Sequence, residues 1–159
     1  MTECYLIDSN IWHYAYIIPA NKSFLEIHTK ALTFLEDALS NESITIATTH
    51  YHIAEIMDLL RKGKLEESHR EKIFNGFMTP KFKIIGLSTK ILKLCFQKSL
   101  ASGIHIYDYL VALPLKGVVT EIFSADDHFQ HQDFKEIATV TNPLSPWILR
   151  EGRLPIKST

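Results

Sequence analysis

Short apolar runs alternate along the chain with longer stretches in which apolar residues recur every three or four positions. The runs are rich in β-branched and aromatic residues, which is typical of strands buried on both faces. The predicted strands are Tyr5–Ile7, Ile44–Ala47, Phe82–Leu87, Thr120–Phe123 and Glu136–Val140. Strands separated by helical stretches indicate βαβ units and a parallel sheet. We therefore predict one α/β domain, a three-layer α/β/α sandwich.

Helical periodicity fills the intervals between these strands. The predicted helices cover residues 11–18, 27–39, 53–60, 65–77, 91–101 and 106–115. Side chains that accept hydrogen bonds from free backbone amides precede several of them. The predicted caps are Ser9 or Asn10, Ser23 with Glu26 as a capping box, Thr48 or Thr49, and Ser88. Pro114 must kink or end the last helix, because it lacks a backbone N–H and clashes with the preceding turn.

Length and composition fit a single domain. The 159 residues suffice for a full core, and we assign residues 1–143 to the domain and 144–159 to a tail packed on it or trailing from it. The net charge of −1 gives no bulk signal for nucleic-acid binding. Cys4 and Cys95 lie in apolar runs, which favours free thiols in a reducing compartment. With no membrane-length apolar run and no signal-peptide pattern, we expect a cytoplasmic protein.

Four acids stand at comparable places in this pattern. Asp8 ends the first predicted strand, Asp126 follows the fourth, Glu55 lies early in the helix after the second, and Asp108 lies in an apolar helix start. Each has an ordinary explanation, such as a helix dipole for Asp108 or a turn cap for Asp126. The four acids are more informative as a set, because the parallel topology brings all of them to one edge of the sheet.

Carboxylates that converge in this way repel one another. A pair about 4 Å apart costs about 4 kcal/mol at an effective dielectric of 20. A divalent cation removes that cost, and Mg²⁺ and Mn²⁺ prefer oxygen ligands. The acids therefore indicate a Mg²⁺ or Mn²⁺ site, which can activate water and stabilise a phosphoryl transition state.

Four segments in order resemble the motifs of PIN domains. Tyr5–Ile11 resembles the opening motif, a hydrophobic run followed by Asp-Thr/Ser-Asn, and Ile53–Ile56 the second motif, an Ala-Glu pair. Asp108–Ala112 resembles the third motif, and Phe123–Phe129 resembles the fourth. The resemblance implies a five-stranded parallel sheet in the order 3-2-1-4-5.

The same resemblance implies a function. Many PIN domains are VapC-type ribonuclease toxins that cleave single-stranded RNA and pair with a small antitoxin, and dimers are common among them. Asp8, Glu55, Asp108 and Asp126 would hold the metal. The supporting residues would be Ser9, Asn10, Ser124, Asp127 and His128. His128 stands where many members have a fifth acid, so a module that binds RNA or a protein partner without cutting is an alternative.

Other side chains suggest weaker hypotheses. A cation near the cleft could contact RNA phosphates, and the candidates are Lys22, Arg61, Lys62, Lys64 and Arg70. An aromatic residue could stack on a base, and the candidates, mostly expected in the core, are Trp12, Tyr14, Tyr107 and Tyr109. Two spacings permit zinc, namely His50 and His52 with Glu55, and His128 with His131. A haloacid-dehalogenase-like phosphatase is a further alternative, but it would need a second Asp where Asn10 stands.

Overall fold

A five-stranded, all-parallel sheet forms the centre of the computed structural model, which describes residues 2–149 and Leu154. The strands are β1 (Glu3–Ile7), β2 (Ile44–Thr49), β3 (Phe82–Ile85), β4 (Glu121–Phe123) and β5 (Thr139–Thr141). Their order across the sheet is β3-β2-β1-β4-β5, as the resemblance implied. The sequence order therefore reverses between β1 and β4, where a ligand-binding crevice is expected in open α/β sheets.

Strand β1 lies in the middle of the sheet and carries side chains into both faces. Leu6 is fully buried in one apolar core and Ile7 is 1% exposed in the other. Successive residues of a strand point to opposite faces, so the continuous apolar run seen in the sequence is what a central strand requires. The three-layer prediction is confirmed.

Seven helices accompany the strands in the described part of the chain. They are α1 (Ser9–Tyr16), α2 (Leu25–Ser40), α3 (His50–Lys62), α4 (Glu67–Phe77), α5 (Thr89–Ser102), α6 (Ile106–Ala112) and α7 (Gln132–Lys135). Short 3₁₀ turns cover Lys22–Phe24, Leu113–Leu115 and Asp127–Gln130. Thr49 caps α3 and Ser88 caps α5, as expected. Helix α6 ends at Ala112, two residues before Pro114, which also agrees with the prediction.

Two of the predicted caps are wrong. Helix α1 is capped by Asp8, whose side chain accepts a hydrogen bond from the Ser9 amide, and not by Ser9 or Asn10. The Ser23 capping box does not form, because Asn21 accepts from both the amide and the hydroxyl of Ser23. That contact holds residues 22–24 in a 3₁₀ turn, and α2 begins only at Leu25.

The last strand differs from the prediction, and the segment after it packs against the domain. Strand β5 covers Thr139–Thr141 and not Glu136–Val140, because α7 occupies the preceding residues and its end is held by backbone bonds. Beyond residue 143, Leu144 is fully buried. The amide of Ile148 donates to the carbonyl of Ala125, which ties this segment to the loop after β4. The rest of the predicted tail, apart from Leu154, lies outside the described residues.

Two further observations concern the chain as a whole. Cys4 and Cys95 are both free thiols, half-buried and buried respectively. In the described residues, no helix combines the length and the apolar character that a membrane crossing needs.

Candidate metal centre

The four predicted acids line one cavity. Asp8 follows β1 directly and Asp126 follows β4, so these two flank the point where the strand order reverses. Glu55 lies in the second turn of α3, and Asp108 lies in the first turn of α6. The cavity has a volume of about 200 Å³ and is lined by Asp8, Ser9, Asn10, His13, Tyr14, Glu55, Leu59, Asp108 and Asp126. Residues separated by more than a hundred positions thus meet as the topology argument predicted.

Asp8 is the most enclosed of the four acids, with 7% of its surface exposed. Its Oδ1 accepts from the Ser9 amide at 2.8 Å, and its Oδ2 accepts from the Ser124 hydroxyl at 2.7 Å. Burial raises the pKa of Asp8 well above its ordinary value, and the charge of Asp108 adds to the rise while the Ser124 bond opposes it. The site therefore holds this carboxylate firmly while leaving its charge poorly solvated.

Asp108, Asp126 and His128 form a cluster on the other side of the cavity. One ligand atom from each of the three lies within 4.8 Å of the others. Oδ2 of Asp108 accepts a hydrogen bond from Nδ1 of His128 at 2.9 Å, and Oδ1 of Asp126 lies 3.7 Å from the same nitrogen. Burial raises the pKa of Asp126, although the backbone amide of His128 donates to it and opposes the rise.

Glu55 completes the set of carboxylates. Burial raises its pKa to about 7; the Ser9 and Tyr51 hydroxyls oppose the rise, and the charge of Asp108 adds to it. Its Oε2 is buried and has no hydrogen-bond partner in the structure. The same is true of two other atoms in the cavity lining, Oδ1 of Asn10 and Nδ1 of His13.

These atoms fit a divalent cation. Buried polar atoms normally have partners, so several orphaned polar atoms around one cavity indicate a group that would bind them. Between residues 2 and 149, no Lys or Arg lines the cavity, and none forms an ion pair with Asp8, Glu55 or Asp126. Carboxylate oxygens suit Mg²⁺ and Mn²⁺, and an imidazole in the set shifts the preference towards Mn²⁺.

The predicted supporting residues take different positions. Ser124 joins two acids, because its hydroxyl donates to Asp8 and accepts from the amide of Asp126. His128 contacts Asp108 and Asp126, and Ser9 and Asn10 line the cavity. Asp127 begins the 3₁₀ turn beside them and is outside the cavity lining, with Oδ1 buried and unpartnered.

None of the predicted RNA-contacting cations lines the acidic cavity in the described part of the chain. Arg61 and Lys62 both pair with the exposed Asp58, at 2.9 Å and 3.1 Å. Lys64 follows the end of α3 with a positive φ of 63°, and Lys22 lies in the turn before α2. Arg70 lines a separate, mainly apolar cavity of about 750 Å³ between α3 and α4, which contains none of the four acids.

The proposed zinc spacings are not assembled. His52 is buried with Nδ1 bonded to the Thr48 hydroxyl at 3.0 Å, and it belongs to no metal-binding group among the described residues. His50 faces the apolar cavity instead. Nδ1 of His131 accepts from the backbone amide of Asp133 at the start of α7.

Sequence reasoning missed His13, which lines the cavity one helical turn after Ser9 and Asn10. Residues three or four apart share a helix face, so this spacing was the available signal. Burial lowers the pKa of His13, which favours the neutral ring beside the acids. Of the aromatic candidates, Trp12 and Tyr109 are buried, Tyr14 lines the cavity, and Tyr107 is exposed.

Two solved structures share this architecture. A chain of VapBC2 from Rickettsia felis, solved bound to a DNA fragment from their promoter, aligns over 87% of this chain and 98% of its own length, with 20% identity and a TM-score of 0.53. VapC20 from Mycobacterium tuberculosis is a sarcin-ricin loop cleaving toxin. It aligns over 84% of this chain and 98% of its own length, with 12% identity and a TM-score of 0.62. The chain has a PIN-type, VapC-like fold. No protein-family model and no curated protein matches the sequence.

At these identities the likeness concerns the fold. It confirms the architecture that the four sequence motifs implied. The chemistry of the site must therefore be argued from the residues of this chain.

Proposed function

We propose that the protein is a metal-dependent endoribonuclease that cleaves single-stranded RNA. The observation that supports this most is the meeting of Asp8, Glu55, Asp108 and Asp126 in one cavity at the strand-order reversal of a PIN-type fold. The raised pKa values of Asp8, Glu55 and Asp126 result mainly from burial, with a smaller contribution from the charge of Asp108, as expected of carboxylates enclosed in a site that a cation would complete.

Mg²⁺ or Mn²⁺ would be held by Asp8, Asp108 and Asp126, with Glu55 at the margin and His128 favouring Mn²⁺. A bound ion of this kind lowers the pKa of a coordinated water and neutralises charge on a phosphoryl group. The orphaned oxygens of Asn10 and Glu55 support this assignment, because they need partners that protein atoms do not supply.

The protein's own contribution is to orient the acids and to accept a proton. Ser124 and the Ser9 amide hold both oxygens of Asp8, so the carboxylate cannot rotate freely. Through its bond from the Asp126 amide, Ser124 also couples the two strand ends. Glu55, with a pKa of about 7, can take a proton on Oε2 near neutral pH.

We further propose that the enzyme is the toxin of a toxin–antitoxin pair, acts in the cytoplasm and has a small antitoxin as its partner. The likeness to VapBC2 and VapC20 supports this assignment. Two further features stay predictions. One is a homodimer, and the other is contact with RNA phosphates by Lys22, Arg61, Lys62 and Lys64.

The decisive experiment compares Asp8→Asn with the wild-type protein in a Mn²⁺-dependent cleavage assay on single-stranded RNA. We expect the variant to lose cleavage, because the amide cannot supply the charge that holds the cation. Asp37→Asn, an exposed acid on α2, is the matched control and should cleave like the wild-type protein. Unchanged cleavage by Asp8→Asn would show that the proposed chemistry is wrong.

One observation favours a second candidate, a module that binds RNA or protein without cutting. His128 already bonds Asp108 and lies near Asp126, so it occupies an oxygen that a metal would need. If titration calorimetry shows no Mn²⁺ or Mg²⁺ binding to the folded protein, this candidate replaces the nuclease.

A further inference from the structure

Two tyrosines form a stacked pair at the starts of two helices that border the acidic cavity. Tyr51 is in the first turn of α3 and Tyr107 is in the first turn of α6. Their ring centroids are 5.9 Å apart and their planes differ by 13°, so the rings are nearly parallel. Tyr107 is 58% exposed, whereas Tyr51 is half-buried beneath it. The pair therefore presents a flat aromatic surface to solvent.

This surface lies beside the acids. Tyr51 precedes Glu55 by one helical turn on the same face of α3, and Tyr107 is the residue next to Asp108. Burial raises the pKa of Tyr51, and the charges of Glu55 and Asp108 add to the rise. A molecule bound at the cavity would therefore have the tyrosine pair within reach.

The exposure of Tyr107 is not explained by packing. Tyr109, two residues further along α6, is fully buried and bonds Ser102 and Asp133 through its hydroxyl, as a core tyrosine should. Tyr107 contributes its ring to the contact with Tyr51 and leaves more than half of its surface in water. An exposed aromatic ring with a backing ring is the arrangement that single-strand-binding proteins use to stack bases.

The electrostatics of the site favour this kind of contact. The chain has a net charge of −1, and the cavity lining in residues 2–149 includes four acids with neither Lys nor Arg. RNA phosphates therefore gain little from long-range attraction, and an uncharged contact must supply part of the binding energy. Stacking meets that need, since every base offers a π face.

We propose that Tyr107, supported from behind by Tyr51, is a stacking platform for the unpaired base adjoining the phosphate that is bound at the acidic cavity. This inference rests on the proposed ribonuclease function and makes Tyr107 a positioning residue for its substrate. Because the ring face makes no hydrogen bonds to base edges, the platform selects unpaired nucleotides over paired ones without reading a particular base.

The test measures binding of a fluorescently labelled, non-cleavable single-stranded RNA analogue to the wild-type protein by anisotropy, in the presence of Mn²⁺. Tyr107→Ala should weaken binding by between about 5-fold and 100-fold, the usual range for removing one stacked base contact. Tyr107→Phe should bind like the parent protein, because the ring is kept. Phe96→Ala removes a ring on α5 with the same exposed fraction of 58%, and it should leave binding unchanged.

An abasic substitution at each RNA position in turn separates stacking from a general structural effect. At one RNA position, loss of the base should weaken binding to the parent protein. The same loss should abolish the difference in RNA affinity between the parent protein and Tyr107→Ala. If Tyr107→Ala binds normally, if Tyr107→Phe is as weak as Tyr107→Ala, or if no abasic position removes the difference, the platform does not exist. If the wild-type protein cleaves RNA but one of these three binding results is found, only the platform is overturned. If the wild-type protein neither binds nor cleaves RNA, the proposed function is overturned as well.

Discussion

The substitution Glu55→Gln tests whether burial of an ionised carboxylate in the cavity destabilises the protein without a cation. Burial raises the pKa of Glu55 from an ordinary value of 4.5 to about 7. Because the folded-state pKa lies above the unfolded one, the folded protein holds the proton more tightly, and stability is lost as pH rises from about 4.5 through 7. The full shift corresponds to about 3 kcal/mol at pH 8 or above.

Glu55→Gln removes the charge and keeps the shape. In the absence of divalent metal, we expect the variant to be more stable than the wild-type protein by up to about 3 kcal/mol at pH 8, with the difference vanishing near pH 4. Urea denaturation at several pH values, in EDTA, measures it directly. Glu42→Gln changes an exposed acid outside the cavity and should show no such pH-dependent difference.

Mn²⁺ should reduce the stability advantage of Glu55→Gln. A ligand that binds only the folded state stabilises it by about 2.7 kcal/mol at a hundred times its dissociation constant. The wild-type protein should gain that stability, and Glu55→Gln should gain less because one carboxylate is missing from the site. If Glu55→Gln follows the pH dependence of the wild-type protein, or is the less stable of the two at pH 8 in EDTA, the electrostatic reasoning is refuted.

Two more predictions concern residues that hold the site and the core. Ser124→Ala removes the hydroxyl that joins Asp8 to Asp126. We expect the free energy of unfolding, measured by urea denaturation, to fall by about 1.5–3 kcal/mol, and the cleavage rate to fall roughly tenfold. Unchanged values for both would contradict the role of Ser124. Burial lowers the pKa of His52 from 6.5 to about 3, so stability is lost as pH falls below 6.5. His52→Leu should remove that loss, about 1.4 kcal/mol per pH unit, and parallel pH profiles for variant and wild type would show that His52 is not the cause.

Local patterns in the sequence were enough to predict the layers of the fold. The apolar run ending at Asp8 indicated a strand buried on both faces, and the threefold and fourfold spacing after Thr49 indicated a helix that buries one side. These features depend on residues within one or two turns of each other, and they hold whatever the rest of the chain does. The order of the four acids along the chain is likewise a feature that the sequence alone provides.

Local competition explains where the predictions of element ends failed. Asn21 and Asp8 took the capping positions assigned to their neighbours, because several side chains in one turn can accept the same amides and propensity does not rank them. The late start of β5 has a similar cause, since residues 132–135 close a short helix that the apolar pattern does not reveal.

Only the tertiary structure decided how the acids are held and what faces them. Ser124 reaches Asp8 across 116 positions, and His128 reaches Asp108 across 20, because β1 and β4 are neighbours in the sheet while α6 packs beside them. The same packing brought Tyr51 beside Tyr107, whereas Arg61 and Lys62 pair with Asp58 within α3, three and four positions along the same helix. The sequence by itself determined which residues could bear charge or stack, but long-range strand pairing decided their distances and burial, and these quantities set the pKa values and the chemistry.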